Sequence, residues 1–226
     1  METLPLYVSL VFGATVLLAL FISYKATRSS TAFLFAVLGW SAVQAVLGLS
    51  GFYTDIHATP PRFPLLVLPP VIVMAVLFST RGGRHFVDSL DSGYLTLLHI
   101  VRLPVELVLF WLFVHEAVPE LMTFEGRNFD ILSGITAPVV YFYRKRLGRA
   151  LLLVWNFACL GLLLNIVFNA LLSAPTPLQQ FAFDRPNIAV QFFPFVLLPS
   201  VVVPLVLFAH LASIRRLLSV KKTQPA

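Results

Sequence analysis

The sequence predicts an all-α integral membrane protein, a single bundle of seven transmembrane helices with its amino terminus outside and its carboxyl terminus in the cytoplasm. Three observations carry that expectation. Hydrophobic residues make up 58% of the 226 positions and charged residues 12%, against roughly 25% charged in an average soluble domain. Seven apolar runs approach the length of about 20 residues that a helix needs to cross a hydrocarbon core about 30 Å thick. The basic residues gather at alternate ends of those runs, as expected when loops rich in Lys and Arg stay in the cytoplasm.

In order, the runs span 4–24, 31–53, 63–79, 94–118, 124–145, 150–172 and 186–214. The first has only Glu2 ahead of it and is longer than a signal-peptide core of about 7–15 residues, so it is expected to be a retained helix. The second carries Ser41, Ala45 and Gly48 on one face, a small-residue stripe that either admits a neighbouring backbone or simply packs. The loop that follows holds His57 and Pro60-Pro61, which stops the helix. Pro69-Pro70 should kink the third run in mid-span, and Arg81 to Arg84 then form a tight basic turn. Its two glycines lack the spacing of a phosphate loop.

The fourth run is the one around which the chain is organised. It carries His99, Arg102 and Glu106 near its middle, where hydrocarbon penalises a full charge by about 2.5 to 3.5 kcal/mol. Pro104 should bend it. The apolar part of the fifth run, Ile131 to Tyr143, is short for a crossing, which leaves two alternatives. Either Glu125, Arg127, Asn128 and Asp130 enter or border the membrane zone, or a short tilted helix is capped by Asp130 in a thinned bilayer. The sixth run places Gly161, Asn165 and Asn169 on one side of a helix. In the seventh, Pro194, Pro199 and Pro204 should interrupt the backbone ladder repeatedly, as in helices that border cavities.

Twelve of the sixteen basic residues fall at the end expected to be cytoplasmic: Lys25, Arg28, Arg81, Arg84, Arg144, Lys145, Arg146, Arg149, Arg215, Arg216, Lys221 and Lys222. Arg62, Arg127 and Arg185 fall at the other end, with Arg102 between. The formal charge of +6 is accounted for by topology, so no nucleic-acid partner is implied. The location expected is the plasma (inner) membrane, with lipids as constant partners and a homo-oligomer or a membrane complex as a further possibility.

Polar groups converge on the outer half of the later runs. Glu106, Arg102 and His99 share a face of the fourth helix, where Arg102 and Glu106, four residues apart, are able to pair. Arg127, Asp130, Asn165 and Asn169 would form the mouth of a polar cavity above them, joined by Asp184 and Gln191 around the start of the seventh helix. Intramembrane ionisable residues are site candidates by default. The plain alternative is that Arg102 and Glu106 neutralise each other and tie helices together.

Several chemistries are disfavoured by residue type and spacing. All four lysines lie at cytoplasmic ends, so no retinal Schiff base is expected, and the likeness to rhodopsins and seven-helix receptors is one of helix count. No c-type haem attachment motif occurs, and His99 and His210 are expected at different depths, which argues against a shared bis-histidine haem. Cys159 is the sole cysteine, so no intramolecular disulfide forms. No H-E-x-x-H or G-x-S-x-G pattern is present. A metal site assembled from His85, His99 and His210 is a further candidate.

The leading expectation is an outward-facing polar intramembrane cavity that binds or conducts a small polar solute or ion, with Glu106 as the proton-exchanging group. The alternatives are a lipid-modifying enzyme that uses metal or acid/base chemistry, and a scaffold or assembly subunit of a membrane complex.

Overall fold

The computed structural model describes residues 4–55, 58 and 62–219. Glu2, His57, Pro60, Pro61, Lys221 and Lys222 lie outside the described residues. About 75% of the chain is helical and no strand occurs among the described residues. The helices are α1 (Leu6–Ala26), α2 (Thr31–Leu49), α3 (Leu68–Ser79), α4 (Arg81–Ser89), α5 (Ser92–Leu97), α6 (Arg102–Val114), α7 (Ile131–Tyr143), α8 (Arg149–Ser173) and α9 (Val203–Ser219). A 3-10 turn, Leu98–Val101, joins α5 to α6, and a π-helical turn, Leu198–Val202, leads into α9. Five stretches are long and apolar enough to cross a membrane: α1, α2, Ser92–Val114, α8 and Leu198–Ser219.

Local chemistry explains where these elements depart from the expected runs. Pro69 and Pro70 do not kink a helix in mid-span; they sit in the first turn of α3, where a missing N–H costs no hydrogen bond. The residues before them form a 3-10 turn, Phe63–Leu66. Arg81 to Arg84 are the first turn of α4 rather than a loop, because the Thr80 hydroxyl accepts from the Gly83 N–H and caps the helix. Pro104 has no N–H for the Ile100 carbonyl, and the backbone tightens over Leu98–Val101 ahead of it. The fourth run therefore keeps its course from Ser92 but ends at Val114, where Glu116 adopts φ 59°.

The last run departs furthest. Residues 186–196 are turns and coil with one 3-10 turn, Ala189–Gln191, so the last helical stretch begins at about Leu198 and not at Pro186. Pro194 lies outside any helix, and Pro199 falls in the opening turn. Pro204 cannot donate to the Ser200 carbonyl in the i to i−4 pattern, and that carbonyl accepts from Trp40 Nε1 at 2.8 Å. A proline in one helix is thereby answered by an indole from another.

The core lies where α1, α5–α6 and α9 meet, with Val8, Phe12, Val16 and Ala19 against Leu98, Val101, Val105, Val201 and Ala209. By contrast α2 buries only Ser41, Gln44 and Gly48, and its Phe35, Val46 and Leu49 are exposed. Apolar faces of this extent fit a lipid surround, in which packing and hydrogen bonds, not burial from water, hold helices together.

Contacts sort the connections into two ends. At one end the Asp91 N–H donates to the Ala26 carbonyl, Arg215 pairs with Asp88, and Arg149 donates to the Leu218 carbonyl. At the other, the Ala189 N–H donates to Ala117, Asn187 to Ser173, and Arg185 pairs with Glu116. Basic residues dominate the first end.

Candidate functional site

The site begins at Gly134. A Cβ there would stand 2.8 Å from the Leu103 nitrogen, so only glycine lets α7 approach this closely to the start of α6. That contact brings Asp130, one turn upstream, against Arg102. Arg102 Nε stands 3.1 Å from Asp130 Oδ2, with both side chains nearly inaccessible (3% and 6%). Arg102 Nη1 also donates to the Cys159 carbonyl of α8 at 3.3 Å. The expected pairing of Arg102 with Glu106 is thus replaced by Arg102 with Asp130, because a helix neighbour supplies a closer carboxylate than the residue one turn along.

Glu106 is held separately. Asn128 Nδ2 donates to Glu106 Oε1 at 2.6 Å and to the Met122 carbonyl at 3.0 Å, while Asn128 Oδ1 accepts from the Asp130 N–H at 3.0 Å. One buried asparagine therefore folds the 120–130 loop back against α6. The structure divides this segment between buried and exposed residues. Asn128 and Asp130 are buried whereas Glu125 and Arg127 are exposed, and α7 is short, but the Asp130 side chain does not cap it. Its carboxylate is committed to Arg102.

A cavity of about 630 Å³ opens beside these groups, within the range of about 300–1,000 Å³ found for small-molecule sites. Its walls are apolar: Val67 and Leu68 from α3, Val105 and Leu109 from α6, Leu163, Ile166 and Val167 from α8, and Val202 and Val206 from the α9 stretch. Arg102, Glu106, Asp130 and Asn187 also border it. Arg102 Nη2, Glu106 Oε2 and Asn187 Oδ1 are buried with no hydrogen-bond partner among the described residues.

The remaining expected mouth residues lie off the cavity wall. Asn165 Nδ2 donates to the Arg127 carbonyl at 2.8 Å, and Asn169 donates back to Asn165. This asparagine stripe therefore braces the loop and does not face the cavity. Arg127 lies over the Phe181 ring, 5.7 Å from its centre. Asp184 is exposed and Gln191 is buried in its turn. The cavity face of α8 is the apolar stripe one position along, Leu163, Ile166, Val167 and Ala170.

His99 and His210, expected at different depths, stack with ring centroids 3.8 Å apart and an 18° angle between planes. Trp155 meets His99 edge-on at 5.5 Å, and His210 Nδ1 lies 3.1 Å from Asn156 Oδ1. Face-to-face stacking points the ring nitrogens sideways, so the pair is not set to clasp a metal from two sides. His85 is exposed on α4. No three His, Cys, Asp or Glu side chains form a metal set among the described residues, so the proposed three-histidine grouping is not assembled.

Every group of this site falls within residues 60–218, the stretch that matches a family model described as a domain of unknown function, DUF8737. The chain belongs to that family. No curated protein and no solved structure matches it. Trp155, Asn156 and the role of Asn128 were not legible from the sequence. Asn156 lies on the i±3/i±4 register that meets α9, a signal present in the spacing but without a partner to give it meaning.

Proposed function

We propose that the protein is a multi-pass membrane protein whose intramembrane cavity binds a lipid-like amphiphile, with the apolar chain along the cavity wall and a polar head at Arg102, Glu106 and Asp130. The carrying observation is the contrast within one cavity: walls of Val, Leu and Ile around a buried charged patch in which a guanidinium nitrogen and a carboxyl oxygen lack partners. Such walls offer a small polar solute or a hydrated ion few compensating contacts, whereas unmatched donors and acceptors favour a head group that both donates and accepts. Leu68, Leu171 and Leu178 belong to the wall and are themselves exposed, which suits access from the bilayer.

The topology proposed for this function has seven crossings, with α3 and α7 completing theirs through the 3-10 turn at Phe63–Leu66 and the folded-back 120–130 loop. The amino-terminal end lies outside, and the basic end faces the cytoplasm of a plasma membrane. The segregation of the two sets of end contacts supports it. A second reading, acid/base chemistry on the bound head group, is favoured by the two carboxyl groups of Glu106 and Asp130 at one wall.

The test is extraction and mass analysis of amphiphiles that co-purify with the protein in a mild detergent, repeated on Ala170→Phe, which fills the cavity, and Glu106→Gln. A stoichiometric single-chain or isoprenoid amphiphile that is lost in Ala170→Phe and weakened in Glu106→Gln is expected. Absence of any such molecule, together with no thermal stabilisation by added fatty alcohols, amines or acids, would overturn the proposal.

A further inference from the structure

The end of the bundle that carries most of the positive charge is held together by contacts that form a closed circuit. The Asp91 N–H donates to the Ala26 carbonyl at 2.8 Å, which brings the end of α1, where Lys25 and Arg28 stand, to the start of α5. At that same start the Arg144 guanidinium packs against Gly93, 3.0 Å from where a Cβ would stand, so the turn between α7 and α8 joins there. Arg149, the first residue of α8, donates to the Leu218 carbonyl of α9 at 3.3 Å. Arg215 of α9 bonds both carboxyl oxygens of Asp88 on α4 at 2.9 Å, and α4 leads back to Asp91 through Leu90. The α4 helix itself doubles back on α3, because Thr80 between them is extended and a Cβ at Gly83 would collide with the Leu77 backbone. Its Val87 is buried while Arg81, His85 and Asp88, at i, i+4 and i+7, are exposed on one face.

The protein does not answer this charge. Ten of the twelve basic residues of this end are described, against two acids, Asp88 and Asp91. Asp88 is taken by Arg215, the one ion pair at this end among the described residues, and Asp91 Oδ1 accepts from the Gly93 and Tyr94 N–H groups. Arg149 Nε and Arg216 Nη1 are buried without a hydrogen-bond partner. Arg149 also adds to the positive end of the α8 dipole instead of offsetting it, and no acid stands in that first turn. Exposed Phe142 and Tyr143 directly precede Arg144, Lys145 and Arg146, and exposed Leu151 and Leu218 stand next to Arg149. Bases set beside exposed apolar side chains match a molecule that carries phosphate and hydrocarbon together. We propose that the basic end binds the phosphate head groups of anionic phospholipids in the leaflet it meets, most densely along Arg144 to Arg149. Each guanidinium presents paired N–H donors that fit two phosphate oxygens, while the acyl chains lie along Phe142, Tyr143 and Leu151. A soluble polyanion has nothing to place against those apolar neighbours. The surface is separate from the cavity, whose walls include none of these residues.

The experiment titrates the full chain, purified in a mild detergent, with short-chain phosphatidylglycerol, with phosphatidylcholine of equal chain length and with inorganic phosphate. Bound molecules are counted by mass measurement of the intact protein. Phosphatidylglycerol is expected to bind more tightly than phosphatidylcholine, by about fivefold for each basic side chain it engages. Raising salt from about 0.1 M to about 1 M shortens the screening length from about 10 Å to about 3 Å and should erase that preference. Lys145 and Arg146 are exposed, so Lys145→Gln with Arg146→Gln should lower phosphatidylglycerol affinity about 25-fold and leave phosphatidylcholine binding and Tm as in wild type. Arg62→Gln, at the opposite end, should leave the preference intact. Equal binding of the two lipids, or a preference that survives high salt or the double variant, would overturn the inference. Displacement of phosphatidylglycerol by an equal concentration of inorganic phosphate would overturn it as well, since the surface would then take soluble phosphate and not lipid. The lipid and salt comparisons use the wild-type chain, so they decide the matter even if a variant fails to fold.

Discussion

Replacing Asp130 with Asn tests the structural centre of the site. The change keeps the shape of the side chain and removes the charge that answers Arg102 across 3.1 Å, where both side chains are nearly inaccessible. Removing one partner of a buried ion pair leaves the other charge uncompensated and costs about 3–5 kcal/mol. For a domain of this size each kcal/mol moves the midpoint by about 2–4 °C, so Tm should fall by about 6–20 °C. Cys159 is the sole cysteine of the chain and is buried, so a thiol-reactive fluorophore reports unfolding in detergent directly. Glu106, one turn from Arg102 and with one oxygen unpartnered, is the carboxylate among the described residues that is placed to take over. Asp130→Asn with Glu106→Gln should therefore melt below the single variant. Arg102→Met with Asp130→Leu, which removes both charges, should recover most of the loss, because an apolar pair of similar volume is often neutral or better. A melting temperature for Asp130→Asn within about 2 °C of wild type would show that the pair does not hold α6 to α7, and the account of the site would fail.

Three further outcomes follow from named contacts. Gly134→Val should destabilise the protein by about 1–3 kcal/mol through overpacking and expose the Cys159 thiol to labelling, since α7 must withdraw from Leu103; unchanged labelling would refute the close approach. Trp40→Phe should cost about 1–3 kcal/mol by removing the donor to the Ser200 carbonyl, read as a lower Tm, whereas an equal Tm would mean that the carbonyl is satisfied elsewhere. Arg215 beside Asp88 holds that carboxyl below its usual range, so the pair stabilises the fold above the ordinary carboxylate pKa and the contribution is lost as pH falls through the depressed value. Asp88→Asn should lower stability by no more than about 1 kcal/mol at pH 7, as befits a part-exposed pair, and the difference from wild type should close in acid; a difference that persists there would refute the linkage.

How much of the site was legible in the sequence can be judged from particular residues. Arg102, Glu106 and Asp130 stand out because charges amid apolar runs are costly wherever they point, and all three share the cavity. Asn165 and Asn169 stand out for the same kind of reason, yet they brace a loop, since an amide stripe reveals that it meets protein without revealing which protein surface. His210 appears as an isolated histidine near the end of its run, and only the packing of α9 on α5 and on the Leu98–Val101 turn brings it onto His99. The cavity itself carries no sequence signal, because valines and leucines that line a void read the same as those that fill a core.

By itself the sequence determined an all-helical chain with five stretches long and apolar enough to cross a membrane and two shorter apolar helices, together with the clustering of positive charge at one end, because these follow from transfer free energies that act residue by residue. The tertiary structure alone decided which carboxylate answers Arg102, that two histidines stack, that prolines fall in the opening turns of α3 and of the Leu198–Ser219 stretch instead of breaking their middles, and that the charged residues border an apolar cavity. Those outcomes depend on distances between residues far apart in the chain. Such distances are set by where Gly134 allows contact and where Asn128 ties the loop, and no local pattern encodes them.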